Sequence, residues 1–206
     1  MIPVVPQPEP ASFNEEVRLP GTAFLLITSN PTTKEFKKAE HWRKALKDLY
    51  SSYNEVCAYT STWIPSLSNL SVEHYIPKSI IPNLAYEWDN FRLAFSKINS
   101  RKWKFLDVVD PFGIPNNSFI LEFPSLLIKP GPGLNDLLRK RVISTIKRLK
   151  LNDDDACVKN RADWLLPYCR NEFTFDYLRR KAPFLAYELD RQGLIEGIRE
   201  IMLGTH

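Results

Sequence analysis

The sequence predicts an α+β fold in which a β-hairpin followed by a short helix is embedded in a mainly α-helical protein. Two short apolar runs, residues 69–74 and 90–95, are typical of strands, and the loop between them contains two prolines. A basic stretch that begins near residue 96 predicts the short helix. In the second half of the chain, apolar residues recur every three or four positions over 134–149, which is typical of an amphipathic helix.

Taken in order, the elements divide the chain into three parts. Residues 1–33 are rich in proline and predict an N-terminal arm, either poorly ordered or laid over the body of the protein or over a partner. Residues 34–110 are predicted as the core, which begins with a helix over 34–53 that carries an apolar stripe. Residues 111–206 are predicted as a linker and a helical region. The elements expected there are a strand at 118–123 and helices at 134–149, 154–166, 174–181 and 184–203.

Composition excludes several classes of protein. The 206 residues are 44% hydrophobic, which is enough for a core and argues against general disorder. The net charge of +4 is compatible with an anionic partner. Three scattered cysteines provide no disulfide framework, and the first residues do not form a signal peptide, so we expect a cytoplasmic protein. The longest apolar run is too short to span a bilayer, so no membrane association is expected.

The polar residues around the hairpin form a candidate site. Glu73 and His74 end the first predicted strand, Asn90 opens the second, and Asn99 lies in the helix that follows. A hairpin returns the chain to its starting neighbourhood, so we expect Glu73, His74 and Asn99 to converge on one point. Neighbouring strand residues face opposite sides, so this requires the strand to end at the following Tyr-Ile-Pro, residues 75–77.

These residue types indicate a metal-dependent site. The carboxylate of Glu73 and the amide oxygen of Asn99 are hard ligands that suit a single Mg²⁺ or Mn²⁺ ion. A neutral His74 beside that ion can take a proton from water. Asn90 at the start of a strand can brace the loop backbone. The cations expected to contact nucleic-acid phosphates are Lys78, Arg101, Lys102 and Lys104.

Each of these residues has a simpler interpretation when it is taken alone. Glu73 and His74 are compatible with a surface acid and a hydrogen-bonded histidine, and Asn90 with an ordinary turn residue. Arg101 and Lys102 are equally compatible with a solvated helix face. The ordered set, with its strand, loop and helix context, favours the metal site over these separate interpretations.

The stretches "VEHYIPKS", "YEWDNFRLAF" and "INSRK" resemble the HNH nuclease family, whose fold is the ββα-metal hairpin and helix. The resemblance implies an HNH endonuclease that hydrolyses phosphodiester bonds with one Mg²⁺ or Mn²⁺ ion. It implies that His74 is the general base, that Glu73 and Asn99 are metal ligands, and that Asn90 braces the loop. The residues themselves are compatible with a DNA or an RNA target, and we expect DNA.

A looser likeness, in "CAYT", "LAYEWDNFRLA" and "NSRK", extends to HNH proteins of Septu-type and retron-associated antiphage systems. It implies an effector subunit of a bacterial defence complex, controlled by an ATPase partner of the SMC or ABC kind. The chain has no Gly-rich phosphate loop of its own, so control by ATP would have to come from that partner. The alternative is a non-catalytic nucleic-acid-binding or scaffold subunit with a degenerate HNH fold.

The chain departs from the HNH family at the structural zinc site. Such proteins usually frame the site with two Cys-x-x-Cys pairs, but here the pairs become Cys57-Ala-Tyr-Thr60 and Phe95-Ser-Lys-Ile98. Cys57 alone cannot build a tetrahedral zinc site, so no structural zinc is expected. We expect a hydrophobic plug of Phe95, Ile98, Trp63 and Cys57 in its place.

Overall fold

The computed structural model describes residues 1–65 and 69–204. Contacts divide the chain into two compact units. The hairpin unit consists of Val5–Cys57 and Ile64–Leu106. The C-terminal unit consists of Met1–Val4, Ala58–Trp63 and Asp107–His206. The described elements are a mixture of helices and two-stranded sheets, which confirms the α+β class; the domain boundaries expected from the sequence stay a prediction.

Helices and one β-hairpin build the hairpin unit. The hairpin pairs β1 (Leu70–His74) with β2 (Phe91–Phe95) in antiparallel orientation, and Glu73 stands opposite Arg92. The fourth helix begins directly after β2 without an intervening loop. The helices are α1 (Leu19–Ile27), α2 (Thr33–Phe36), α3 (Leu46–Ser52) and α4 (Ser96–Lys102).

The single helix predicted over residues 34–53 is wrong, because the chain forms α2, a 3₁₀ turn at His41–Ala45 and then α3. In one continuous helix, Phe36 and Trp42 would point to different faces, since six residues correspond to about 240° of rotation. The break lets both rings enter the core, where their centroids lie 6.0 Å apart. Thr32 starts α2 with a capping box that it forms with Glu35.

The N-terminal segment packs against its own unit. Phe13 lies edge-on to Trp88 and Phe91, with ring centroids 5.6 and 5.7 Å away. Gly21 in α1 lies directly on the ring of Tyr86, where a Cβ atom would come within 2.1 Å of the ring carbon Cγ. Any larger residue at Gly21 would displace Tyr86, whose hydroxyl donates to the Ala39 carbonyl at 2.8 Å. This part of the predicted arm is therefore laid over the hairpin unit.

The C-terminal unit pairs β3 (Phe119–Glu122) with β4 (Leu127–Pro130) in a second antiparallel hairpin. Sequence reasoning found β3 but missed β4, because a short strand that ends in Pro-Gly looks like a linker. The predicted final helix at 184–203 is two helices, since Gly193 adopts a left-handed conformation with φ +65° between them. The helices are α5 (Asp136–Arg148), α6 (Lys159–Cys169), α7 (Phe175–Lys181), α8 (Pro183–Arg191) and α9 (Ile198–Leu203).

The positions expected to replace a zinc site fall into two groups. Cys57 and Ile98 are buried in the hairpin unit, and Phe95 is half-buried there. Trp63 belongs to the C-terminal unit, where its ring centroid lies 6.2 Å from that of Trp164. Across the described ranges, no helix combines the length and the apolar character needed to cross a membrane.

Candidate active site

One pocket in the hairpin unit gathers the three residues singled out by the sequence. Glu73 and His74 are the last two residues of β1, and Asn99 lies in the middle of α4. All three line a pocket of about 230 Å³, together with Lys78 and Lys104. Both residues are still within β1, where neighbouring side chains point to opposite faces, and the pocket at the end of the strand is lined by both.

The ring of His74 is fixed by its surroundings. Its Nε2 atom lies 2.9 Å from the backbone carbonyl of Ala85. A carbonyl oxygen can only accept, so Nε2 carries the proton and Nδ1 keeps a free electron pair. The faces of the ring are held by Trp42 and Phe91, whose ring centroids lie 5.1 and 5.2 Å away in edge-on contact.

Burial lowers the pKa of His74 to about 3, and the positive charge of Lys78 adds to this effect. The hydrogen bond to Ala85 opposes the shift, and the charge of Lys102 adds a smaller contribution to it. The imidazole is therefore neutral at physiological pH. A neutral ring with a fixed tautomer can accept a proton at Nδ1, and its low pKa makes it a weaker base than free imidazole.

The shift predicts how stability depends on pH. In the unfolded chain His74 takes up a proton below about pH 6.5, whereas the folded protein resists protonation down to about pH 3. The contribution of neutral His74 to the unfolding free energy is therefore complete above pH 6.5, and it is lost as the pH falls from about 6.5 to about 3. Between pH 7 and 5, metal-free protein should lose about 2 kcal/mol more unfolding free energy than His74→Gln does. Urea unfolding at the two pH values measures the difference, and equal losses in both proteins would contradict it.

Glu73 and Lys102 form a buried ion pair beside the pocket. The Lys102 Nζ lies 2.7 Å from the Glu73 Oε1, and their side chains are 0% and 1% exposed. The same ammonium donates to the carbonyls of His74 at 3.1 Å and Tyr75 at 2.7 Å. An ammonium has three hydrogens, so these partners use its full donor capacity. We therefore reassign Lys102 from a phosphate contact to a residue that positions Glu73 and the end of β1.

The orientation of the Asn99 amide follows from β1. Its Nδ2 donates to the Ser71 hydroxyl at 3.1 Å and to the Val72 carbonyl at 3.2 Å. These two bonds fix which end of the amide is nitrogen. The carbonyl oxygen Oδ1 is the acceptor end of the amide, on a residue that lines the pocket.

Asn90 ties the loop between the strands together and is not among the residues that line the pocket. Its Oδ1 accepts from the Ile76 backbone N–H at 2.7 Å, and its Nδ2 donates to the carbonyls of Ile76 at 3.0 Å and Leu84 at 2.9 Å. The Tyr75 N–H adds a bond to the Asn90 carbonyl at 2.9 Å. These bonds give the bracing role expected of Asn90 a structural basis, because they hold the loop that presents Ala85 to His74.

The remaining predicted cations differ in position. Lys78 and Lys104 line the pocket, and Lys104 lies over the ring of Trp103 with its Nζ 4.9 Å from the centroid. Arg101 is half-buried on α4 and does not line the pocket.

The sequence offers no signal for the contact between His74 and the Ala85 carbonyl, because every residue has a backbone carbonyl. Trp42 contacts His74, but at the level of the sequence it belonged only to a helical apolar stripe.

The oxygen donors of the pocket suit an ion such as Mg²⁺. They do not form the kind of metal site that is built from several acids and histidines. The described part of the chain contains no cluster of three or more histidine, cysteine, aspartate or glutamate side chains suited to a metal. Mg²⁺ usually takes one or two carboxylates and keeps several waters. The Glu73 carboxylate and the Asn99 carbonyl oxygen supply that kind of partial set. A carboxylate can accept several hydrogen bonds, so the bond from Lys102 does not use up its capacity.

In comparisons with known proteins, no protein-family model matches the chain and no curated protein matches it. The HNH assignment therefore stays a prediction from the sequence.

Proposed function

We propose that this protein is a metal-dependent HNH endonuclease that hydrolyses phosphodiester bonds in DNA. The observation that carries the proposal is the convergence of a carboxylate, an oriented amide oxygen and a neutral histidine on one pocket. Glu73, Asn99 and His74 supply these groups. Each is held by partners of its own: Lys102 for Glu73, Ser71 and Val72 of β1 for Asn99, and Ala85 for His74.

In this proposal the chain's residues perform the proton transfer and the positioning. Nδ1 of His74 accepts a proton from water as the water oxygen attacks phosphorus. The bond from phosphorus to the leaving oxygen then breaks, and that oxygen takes a proton from solvent. Glu73 and Asn99 hold the divalent ion, which when bound supplies positive charge for the phosphate and the leaving oxygen.

The wider role that we propose is the effector subunit of a bacterial antiphage complex controlled by an ATPase. Its support is the looser sequence likeness together with an exposed apolar face on α1. Leu19, Leu26 and Ile27 are 56%, 83% and 87% exposed on that helix. Exposed apolar groups in such density are typical of a surface that binds another protein. Co-purification of the chain with an untagged ATPase tests this role.

A second candidate function is a nucleic-acid-binding subunit without catalysis. One observation favours it: Glu73 already has a buried counter-ion in Lys102, so its charge is balanced without a metal. Metal-independent binding of DNA, with no cleavage in any divalent ion, would support this candidate.

A plasmid-cleavage assay separates the two candidates. With Mg²⁺ or Mn²⁺, and with the ATPase partner if it is required, we expect wild-type protein to nick or cut DNA, and EDTA to abolish the reaction. Asn99→Ala should lower the rate on the order of a hundredfold, because even outer-shell partners of metal ligands are worth about 10- to 100-fold. Ser100→Ala, an exposed neighbour on α4, is the matched control and should cut normally. Equal rates for Asn99→Ala and wild type would contradict the proposed site.

A further inference from the structure

Two lysines differ in the partners of their ammonium groups: Lys102, which lies beside the pocket, and Lys78, which lines it. Lys102 is fully buried and donates all three hydrogens to protein oxygens. Lys78 is half-buried at the pocket wall, and its Nζ forms no hydrogen bond or ion pair with any residue in the described ranges. Its contacts are two aromatic ring faces. Lys78 is therefore a partly desolvated cation whose donors remain available to a ligand.

An aromatic cradle holds Lys78 in this position. Its Nζ lies 4.8 Å from the ring centroid of Trp42 and 5.8 Å from that of Phe36. Both rings are buried in the hairpin unit and come from the segment that precedes the hairpin. Ring faces attract an ammonium group but offer its N–H donors only weak acceptors. The cradle therefore orients the cation without saturating it.

Trp42 also links Lys78 to the proposed base. The same indole lies 5.1 Å from the ring of His74 and 4.8 Å from the Nζ of Lys78. Burial lowers the pKa of Lys78, and the charges of Glu40 and Glu73 oppose this shift. An anion in the pocket would give the Lys78 ammonium a strong hydrogen-bond acceptor, which the described residues do not provide.

We infer that Lys78, one of two lysines that line this pocket, binds a backbone phosphate of the nucleic acid, and that Trp42 and Phe36 are its positioning residues. The inference deepens the proposed function and rests on it for the identity of the ligand. Lysine is well suited to this task, because it binds phosphate as a compact point charge. The segment before the hairpin is then part of the active site and supplies the cradle of its phosphate-binding cation.

Binding of a short DNA duplex in EDTA tests the inference without any need for catalysis. The affinity is measured over a range of salt concentrations for wild type and Lys78→Met. Each neutralised phosphate contributes about 0.9 to the slope of log affinity against log salt, so Lys78→Met should reduce the slope by about 0.9. We expect Lys78→Arg to keep most of the slope. Lys97→Met, an exposed lysine on α4 outside the pocket, is the control for general loss of charge.

Two further variants test the cradle. Trp42→Phe keeps a ring face and should bind DNA nearly as wild type does, whereas Trp42→Leu should change the slope in the same direction as Lys78→Met. Thermal melts establish that each variant is folded, and Lys78→Met decides the question alone if Trp42→Leu does not fold. An unchanged slope in Lys78→Met, a loss no larger than that of Lys97→Met, or no binding of DNA by wild type overturns the inference.

The outcomes also separate this inference from the proposed function. If Lys78→Met changes the salt slope of DNA affinity but no metal-dependent cleavage is detected, the Lys78 contact stands and the proposed nuclease activity fails. If wild type cleaves DNA but Lys78→Met leaves the salt slope unchanged, the nuclease activity stands and the Lys78 contact fails.

Discussion

Replacing His74 by glutamine is expected to lower the rate of DNA cleavage by about 10²- to 10⁴-fold, the range in which general bases contribute to catalysis. Glutamine can still donate a hydrogen bond towards the Ala85 carbonyl, which Nε2 of His74 contacts at 2.9 Å. It has no basic nitrogen to replace Nδ1. The loss should therefore fall on the proton transfer, and DNA binding in EDTA should stay close to that of wild type.

Single-turnover cleavage with saturating Mn²⁺ measures this effect. His41→Gln is a matched control, because His41 lies in the same unit beside Tyr86 but does not line the pocket. It should cut at the wild-type rate. Added imidazole should partly restore cleavage by His74→Ala, since that substitution leaves space where the ring was. A His74→Gln rate within a few-fold of wild type would show that another group takes the proton.

The second large effect is expected on stability. Lys102→Met should lower the free energy of unfolding by about 3–5 kcal/mol, because it leaves Glu73 as an unpaired charge in the interior. The pair is 0% and 1% exposed, so solvent screens it little. The substitution also removes the donor to the carbonyls at the end of β1. Urea unfolding of the metal-free protein measures the change.

A double variant separates the charge from the packing. Glu73→Gln combined with Lys102→Met removes both charges, and we expect it to recover a large part of the stability lost in Lys102→Met. Lys97→Met, on the exposed face of α4, should change the unfolding free energy by less than about 0.5 kcal/mol. A cost for Lys102→Met as small as that of Lys97→Met would contradict the buried pair.

Parts of the fold could be predicted from local patterns. The strands expected at residues 69–74 and 90–95 correspond to β1 and β2, because an apolar run between turn residues determines both the type and the length of the element. The helix expected at 134–149 corresponds to α5 for the same kind of reason, since its apolar period is regular. The break between α2 and α3 was not predictable, because it depends on where the rings of Phe36 and Trp42 find space in the core.

In the candidate site, too, some residues could be predicted from the sequence and others could not. Glu73, His74 and Asn99 could be named from the sequence because their types and order are informative. The partners that hold them could not be named: the Ala85 carbonyl carries no side-chain signal, and the contacts of Trp42 depend on the tertiary fold. The sequence predicts a phosphate contact for Lys102, because a lysine is rarely fully buried unless it is paired. Its burial follows from the packing of α4 on β1, which puts the ammonium next to Glu73.

In the proposed site, Glu73 and Asn99 hold one divalent ion beside His74. A crystal structure of the protein soaked with Mn²⁺ tests this directly through the anomalous signal of manganese. The account predicts one strong peak in the pocket, within about 2.0–2.4 Å of an oxygen of each ligand, as for ions of the Mg²⁺ and Ca²⁺ class. Full occupancy of Mn²⁺ elsewhere in the protein, with no peak between Glu73 and Asn99, would contradict it.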